Sequence, residues 1–301
     1  MVSPIRQIVV CLDGSLQGRA LGRQAAALAR RLDAGLIGLW GLHRPSPSAP
    51  ETFARGAGAI HDVLEHQALQ EQDLLSVARR DFDAIAGPFG LKAEFHPAWD
   101  DDPDAAALAA VGDLVVIGHP RLRSLPGGLT AERLLLTGSR PVLLLPAAWT
   151  GNLAGPVLIG WNGSPAARRA AEEALPLMAA EGLATVVVVD RAASDEATTQ
   201  LTQALRARGL RTTVKAVDSG GAGVAEAILR TADEVGAGLV VLGGYSRSPT
   251  VERWFGGVTR SLLATAPRPL LLSHLPEEAR RAAAGDRAAV GTAALPGASF
   301  R

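Results

Sequence analysis

The stretch Ile8-Val9-Val10-Cys11-Leu12-Asp13-Gly14-Ser15 decides the fold, because it recurs 149 residues later as Val157-Leu158-Ile159-Gly160-Trp161-Asn162-Gly163-Ser164. Each copy is a short apolar run that ends in a polar turn, which is typical of a buried strand leading into a helix. Two later pairs of runs repeat in the same order, 114–118 with 239–243 and 140–145 with 268–272. The repetition predicts one structural unit present twice.

The length and composition of the chain agree with two globular units. The chain has 301 residues, about twice the roughly 150 of a common domain. Its 48% hydrophobic and 20% charged residues are ordinary for folded proteins. We expect one domain over residues 1–149 and a second over 150–275. Residues 276–301 are rich in Ala, Gly and Arg without a sustained apolar period, which predicts a disordered tail.

Strand and helix patterns alternate in each half, which favours parallel strands joined by right-handed helical crossovers. In the second half we expect helices that begin at Pro165, after a cap at Ser194, at Val224 and near Val258. Its five strands are expected at 157–160, 184–189, 211–217, 239–242 and 269–272. The first half has about 24 extra residues before Gly118, which predict a longer helix over 53–85, interrupted at 56–58.

The predicted fold class is therefore α/β, with two tandem five-stranded parallel sheets, each covered by helices in a Rossmann-like sandwich. A single continuous sheet, or a strand order that differs between the halves, would contradict this prediction.

Charge and cysteine content limit the partners and the compartment. Lys plus Arg and Asp plus Glu number 30 each, so no net charge attracts the chain to nucleic acid or to a membrane surface. The single cysteine, Cys11, excludes an intrachain disulfide and suits a reducing compartment. The first residues lack a long apolar region, and no run reaches the roughly 20 apolar residues of a membrane span. We expect a cytoplasmic protein.

Candidate ligand residues follow the strands of the second half. Parallel sheets bind ligands beyond the carboxyl ends of their strands, where small residues and helix N-termini suit phosphate. The candidates are Asn162, Gly163, Ser164, Asp190, Gly243, Ser246, Arg247, Gly256 and Gly257. Weaker candidates in the first half are Asp13, Gly14, Ser15 and Gly118. The alternative is that the glycines only permit tight turns, which we favour for Gly118.

Two aromatic residues and one arginine could extend this site. Trp161 and Tyr245 stand at strand ends, where a ring could stack on a base or could instead lie partly buried at an interface. Arg253 could pair with phosphate or be solvated.

Metal and catalytic sites are not predicted. The run from Asp100 to Asp104 contains four carboxylates, but Asp102 before Pro103 favours a helix cap over a metal site. His119 has no second ligand at a zinc-like spacing, and His61 and His66 do not share a helix face. The chain contains neither a G-x-S-x-G elbow nor a full Walker motif. We predict a binding protein and no enzyme, with slow ATP hydrolysis left open.

The repeated strands and turns together resemble the universal stress protein family over nearly the whole chain. Its domains have a first strand ending like Asp13-Gly14-Ser15 and a last strand introduced by a proline, like Pro141 and Pro269. The resemblance implies a fold of the adenine nucleotide alpha hydrolase type. At the position where the family usually has Asp, the second half of this chain has Asn162.

ATP-binding members of the family carry Gly, two residues, Gly, nine residues, then Gly and Ser or Thr. In the second half this spacing falls on Gly243, Ser246, Gly256 and Gly257, with the second glycine and the final hydroxyl replaced. In the first half only eight residues separate Gly118 from Gly127, against twelve between Gly243 and Gly256. The resemblance thus implies ATP or AMP bound in the second half more than in the first.

Two functions follow from the resemblance. In one, nucleotide occupancy of the second half changes a surface read by an unknown protein partner during a stress response. In the other, the chain is a nucleotide-free tandem scaffold. The family uses its last strand at its dimer edge, so the apolar strands Val142–Leu145 and Leu270–Leu272 predict an intramolecular pseudo-dimer. Homo-oligomerisation stays open.

Overall fold

The computed structural model describes residues 4–45, 56–119, 121–123, 125–126, 129–137, 140–146, 148–244, 262 and 267–274. The elements of the first half are β1 Gln7–Leu12, α1 Leu16–Leu32, β2 Gly35–Leu42, α2 Ala57–Ala86, β3 Ala93–Trp99, α3 Ala105–Ala109, β4 Leu114–His119, α4 Ala131–Thr137 and β5 Val142–Pro146. Those of the second half are β6 Val157–Gly160, α5 Pro165–Ala174, β7 Leu183–Val189, α6 Glu196–Ala207, β8 Arg211–Val217, α7 Val224–Glu234, β9 Leu239–Gly243 and β10 Leu270–Ser273.

All ten strands form one sheet in the order β3-β2-β1-β4-β5-β10-β9-β6-β7-β8. Neighbouring strands are parallel within each half, and β5 pairs antiparallel with β10 between the halves. Our expectation that a continuous sheet would contradict the duplication is therefore wrong. Each half keeps the same order of third, second, first, fourth and fifth strand, and the halves join only through their last strands.

The junction between the halves is the predicted pairing of the two last strands. Leu144 lies opposite Leu270 and Leu143 opposite Leu271, and all four side chains are buried. Burying a leucine stabilises a fold by roughly 1.5–3 kcal/mol, and pairing also removes two exposed sheet edges. The two halves therefore share one apolar core across this junction.

Strand β1 shows why the central strands need no polar face. Residues 8–12 are fully buried because helices cover both faces of the sheet. The predicted boundary at 149/150 falls in the connection from β5 to β6, and the predicted tail at 276–301 lies outside the described residues.

Three local predictions need correction. Asp195, not Ser194, caps α6, because its carboxylate accepts from the backbone N–H of Thr198 at 2.7 Å. Helix α3 begins after Asp104, because Asp102 accepts from the Asp104 N–H at 2.8 Å and so stabilises a turn instead of capping the helix. Helix α2 starts at Ala57 and runs unbroken to Ala86, with Gly56 before it at a φ of 91°.

The last helix predicted in the second half, near residues 258–264, lies outside the described residues except for Leu262.

Candidate functional site

The loop after β6 presents the N-terminus of α5 to the carboxyl edge of the sheet. The side-chain oxygen of Asn162 accepts from the backbone N–H of Ser164 at 3.0 Å. The hydroxyl of Ser164 caps α5 by accepting from the Ala167 N–H at 3.2 Å. Gly163 has a φ of 73°, a conformation that other residues rarely adopt. The three predicted residues thus form one turn at a helix N-terminus, where backbone N–H groups favour anions.

The loop after β7 is joined to the first loop and to β8. The guanidinium of Arg191 donates to the carbonyl oxygen of Asn162 at 2.6 Å. Asp190 accepts from the hydroxyl of Ser219 at 2.6 Å and from its backbone N–H at 2.8 Å, and these hydrogen bonds lower the pKa of Asp190. Asp190 therefore stabilises the connection between two strand ends, a role for which the sequence offered no signal.

Gly243 lies where β9 meets the start of α5. A Cβ atom at this position would lie 2.3 Å from the backbone nitrogen of Ala167, so only glycine allows this approach. Gly243 does not have a positive φ, and neither does Gly118, whose added Cβ would meet Leu21 at an ordinary 3.4 Å. The tight-turn explanation that we favoured for Gly118 is therefore wrong, because this residue continues strand β4.

A cavity of about 780 Å³ lies between the N-termini of α5 and α6, and we call it the strand-end cavity. Its lining residues are Asn162, Gly163, Ser164, Pro165, Arg168, Arg191, Asp195, Glu196, Ala197 and Gln200. Its volume lies within the roughly 300–1,000 Å³ typical of small-molecule sites. Asp190 and Gly243 support its walls without lining it. Ser246, Arg247, Gly256, Gly257, Arg253 and Tyr245 lie outside the described residues.

Arg168 and Gln200 were not identified from the sequence. Arg168 stands one helical turn after Ser164, which is the only signal of its position. Its guanidinium lies 5.8 Å from the ring centre of Trp161, which is only 3% exposed. Trp161 is therefore a buried residue covered by Arg168, and its ring is not free to stack on a base.

The first half builds the same turn with a charged residue. Asp13 is 2% exposed and accepts from the backbone N–H of Ser15 at 3.0 Å and from its hydroxyl. Ser15 in turn caps α1 by accepting from the Gly18 N–H at 2.9 Å. The two turns thus share their hydrogen bonds, with an amide in place of the carboxylate in the second half, but Gly163 has a positive φ and Gly14 does not.

The space at the end of β4 in the first half is filled. Leu122, Leu125 and Leu129 are buried there, and only about 10 Å³ remains between Gly118 and α1. The guanidinium of Arg121 donates to the carbonyl oxygens of Leu129 at 3.2 Å, of Pro126 at 2.7 Å and of Leu125. The shortened loop is therefore closed by its own side chains.

Ion pairs cover the neighbouring strand ends of the first half. Arg44 pairs with Glu71 at 2.9 Å and Asp101 at 3.1 Å and lies 4.9 Å from the ring centre of Trp99. His43 lies 2.9 Å from Asp100, and this hydrogen bond lowers the pKa of Asp100. Asp100 and Asp101, in the acidic run, thus hold the ends of β2 and β3 together.

Three further features of the described ranges concern metal ligands, the single thiol and membrane-spanning helices. Within them, no three His, Cys, Asp or Glu side chains come together as a metal site would require, so the prediction of no metal stays a prediction. Burial raises the pKa of the Cys11 thiol to about 12, which makes it unreactive at neutral pH. None of the helices described here is long and apolar enough to cross a membrane.

Comparison with known proteins gives a match to a sequence family and matches to solved structures. The sequence profile described as "Universal stress protein family" matches residues 4–146 and again 154–274. No curated protein sequence matches the chain.

Several solved structures are similar. A universal stress protein from Archaeoglobus fulgidus DSM 4304 has 16% identity and a TM-score of 0.63, covering 89% of this chain and 98% of its own. A putative universal stress protein from Pseudomonas aeruginosa UCBPP-PA14 has 19% identity and a TM-score of 0.53, covering 92% and 96%. A universal stress protein from Archaeoglobus fulgidus, solved in complex with dAMP, has 18% identity and a TM-score of 0.29, covering 48% and 98%. At these identities the first two likenesses establish the fold alone.

Proposed function

This chain belongs to the universal stress protein family, and from that membership we propose that its second half binds an adenine nucleotide, ATP or AMP, in the strand-end cavity. The observation that carries the proposal is a cavity of about 780 Å³ at the N-terminus of α5, lined by the guanidinium groups of Arg168 and Arg191. Nucleotide occupancy would then alter a surface recognised by a protein partner in a stress response.

The charges around the strand-end cavity favour an anionic ligand. The start of α5 offers backbone N–H groups, and a negative charge near a helix N-terminus gains about 0.3–1 kcal/mol. The guanidinium groups of Arg168 and Arg191 line the same space, and guanidinium forks match phosphate oxygens. Asp195 and Glu196 at the start of α6 line the same cavity, and we therefore propose that the phosphates bind on the α5 side.

The replacement of Asp by Asn162 also favours an anion. Both Asp13 and Asn162 accept a hydrogen bond from the serine N–H two residues later, so the turn is kept in either half. Only the amide leaves the turn uncharged, which removes a repulsion of about 0.2–1 kcal/mol for a phosphate nearby. The second half is therefore better suited to phosphate than the first.

We assign the protein a binding role, and no catalytic one, at this site. Within the described part of the strand-end cavity no lysine faces the proposed phosphates, and phosphoryl transfer depends on such a group or a metal to stabilise the developing charge. Slow hydrolysis of bound ATP stays open and is measured by incubating the pure chain with ATP and following ADP.

A nucleotide-free scaffold is the second candidate. It is favoured by the replacement of the family's second glycine by Ser246 and of its final hydroxyl by Gly257, together with the filled loop at the end of β4. In that case the joined sheet would present its surfaces to partners without a ligand.

One experiment separates the two candidates. The purified chain is denatured rapidly, the released small molecules are separated by chromatography, and ATP and AMP are titrated calorimetrically into the nucleotide-free protein. We expect released adenine nucleotide, or binding heat for ATP or AMP that exceeds the heat for GTP. No released nucleotide and no heat with any of them would leave the scaffold function.

A further inference from the structure

A second cavity, of about 610 Å³, lies between the two halves, and we call it the interdomain cavity. The first half contributes Ile5, Asp113 and Pro141 to its walls. The second half contributes Glu173 of α5, Leu205 of α6 and Arg208, which directly follows α6. It is separate from the strand-end cavity, although Arg168 lines both. The walls are mixed, with apolar side chains from α6 and charged groups around them.

The symmetry-related groove lies between α1 of the first half and the start of β9 in the second. It is occupied by the connection between the halves, residues 148–156. Gln24, which corresponds to Glu173 through the offset of 149, donates to the carbonyl oxygen of Trp149 at 2.7 Å. Gly238, which precedes β9 as Asp113 precedes β4, leaves room for the carbonyl oxygen of Asn152, since a Cβ atom there would lie 2.3 Å from it. The connection thus fills the symmetry-related counterpart of the interdomain cavity, between α1 of the first half and the start of β9 in the second.

The chain that leaves β10 starts at the interdomain cavity. Leu272 pairs with Val142, so the antiparallel register places Ser273 beside Pro141, which lines the cavity. In the same way the end of β5 leads into the connection that fills the equivalent groove. The residues that follow His274 therefore begin where residues 148–156 would begin in a symmetric molecule.

The charges of the cavity match the residues that follow. Arg208 has no ion pair among the described residues, and Oε2 of Glu173 is buried without a hydrogen-bond partner in them, while its Oε1 accepts from Arg169 at 2.8 Å. The next residues along the chain are Leu275-Pro276-Glu277-Glu278-Ala279-Arg280-Arg281. This order offers an apolar start, two carboxylates for guanidinium groups and two guanidinium groups for carboxylates.

We propose that residues 275–281 dock in the interdomain cavity, as residues 148–156 occupy its counterpart, and thereby bind the second half to the first on a surface away from the β5–β10 junction. The occupant is a segment of this chain, so the cavity is an intramolecular binding site.

Cross-linking of the full chain tests the proposal. Cys11 is buried and unreactive, so introduced cysteines are the reactive thiols. Ala204 is exposed and lines the cavity, whereas its neighbour Gln203 is exposed on another face of α6 and does not. With a short bis-maleimide, Ala204→Cys with Ala279→Cys should cross-link within one chain about tenfold faster than Gln203→Cys with Ala279→Cys, because docking raises the effective concentration.

Equal rates for the two pairs, or cross-links mainly between chains, would overturn the proposal. Hydrogen exchange of the unsubstituted full chain gives a second measurement that needs no variant. We expect slower exchange of the amides of residues 277–281 than of residues 290–294, and equal exchange of the two segments would also count against docking.

Discussion

The two halves share their strand order and the serine cap of their first helix but differ in what surrounds the equivalent arginines Arg19 and Arg168. In the first half Arg19 of α1 pairs with Asp81 of α2 at 2.8 Å. In the second half the equivalent Arg168 lines the strand-end cavity of about 780 Å³ between α5 and α6. A duplicated fold can therefore keep its backbone frame in both copies while a longer helix in one copy, here α2, changes what the equivalent arginine faces.

The largest effect that sharpens this comparison is expected at Gly243. A Cβ atom would meet the backbone of α5, which cannot move without shifting the helix, so Gly243→Ala should cost about 2–3 kcal/mol. The matched control is Gly118→Ala in the first half, where the added atom makes ordinary contacts and should cost well under about 1 kcal/mol. Urea denaturation followed by circular dichroism measures both. Equal losses would show that the close approach at Gly243 is not required.

The second prediction concerns Arg168, one of the two arginines that line the strand-end cavity. Arg168→Ala should weaken the proposed nucleotide binding about tenfold, because a charge-assisted hydrogen bond to phosphate is lost. Arg19 is the equivalent residue of the first half, where it pairs with Asp81 at 2.8 Å, and Arg19→Ala should leave the affinity unchanged. Calorimetric titration with ATP compares the two variants. An unchanged affinity in Arg168→Ala would place the phosphates elsewhere.

Exchanging the acceptors of the two first turns tests the charge argument. Asn162→Asp keeps the hydrogen bond to the Ser164 N–H but adds a negative charge, so the proposed nucleotide should bind about two- to fivefold more weakly. Asp13→Asn in the closed first half should not change nucleotide affinity. If Asn162→Asp bound ATP more tightly, the amide would not be the feature that favours an anion.

The smallest effect is expected from the pH dependence of Asp190. Its pKa lies below the usual 3.8 because Ser219 donates two hydrogen bonds, so this interaction stabilises the fold above about pH 4 and is lost as the pH falls through the lowered pKa. Ser219→Ala should therefore be less stable than the unsubstituted chain at pH 7, and the difference should shrink towards pH 2. Thermal unfolding at both pH values measures the difference. A difference that stayed constant with pH would exclude a contribution from the ionised carboxylate.

Much of the fold could be predicted because it depends on local patterns. The repeated strand and turn at 8–15 and 157–164 predicted the duplication, and the apolar last strands predicted their own pairing. Helix starts were less predictable, as at Asp195 and Asp104, because several neighbouring residues can cap equally well and tertiary contacts select one of them.

The candidate site was only partly predictable. Asn162, Gly163 and Ser164 were found through the repeated turn, whereas Arg168 and Gln200 reach the same cavity from helix faces whose direction depends on packing. For the loop after β4, the sequence predicted only that it is shortened. That Leu122, Leu125 and Leu129 fill it depends on their burial in the folded chain.

The repeat, the alternation of strands and helices and the turns after β1 and β6 were predictable from the sequence, because these follow from hydrophobic periodicity and from hydrogen bonds between residues two or three positions apart. The joining of the two sheets into one depends instead on the folded chain, because it requires the pairing of residues as distant as Val142 and Leu272. The packing of such distant residues is recorded in no local pattern.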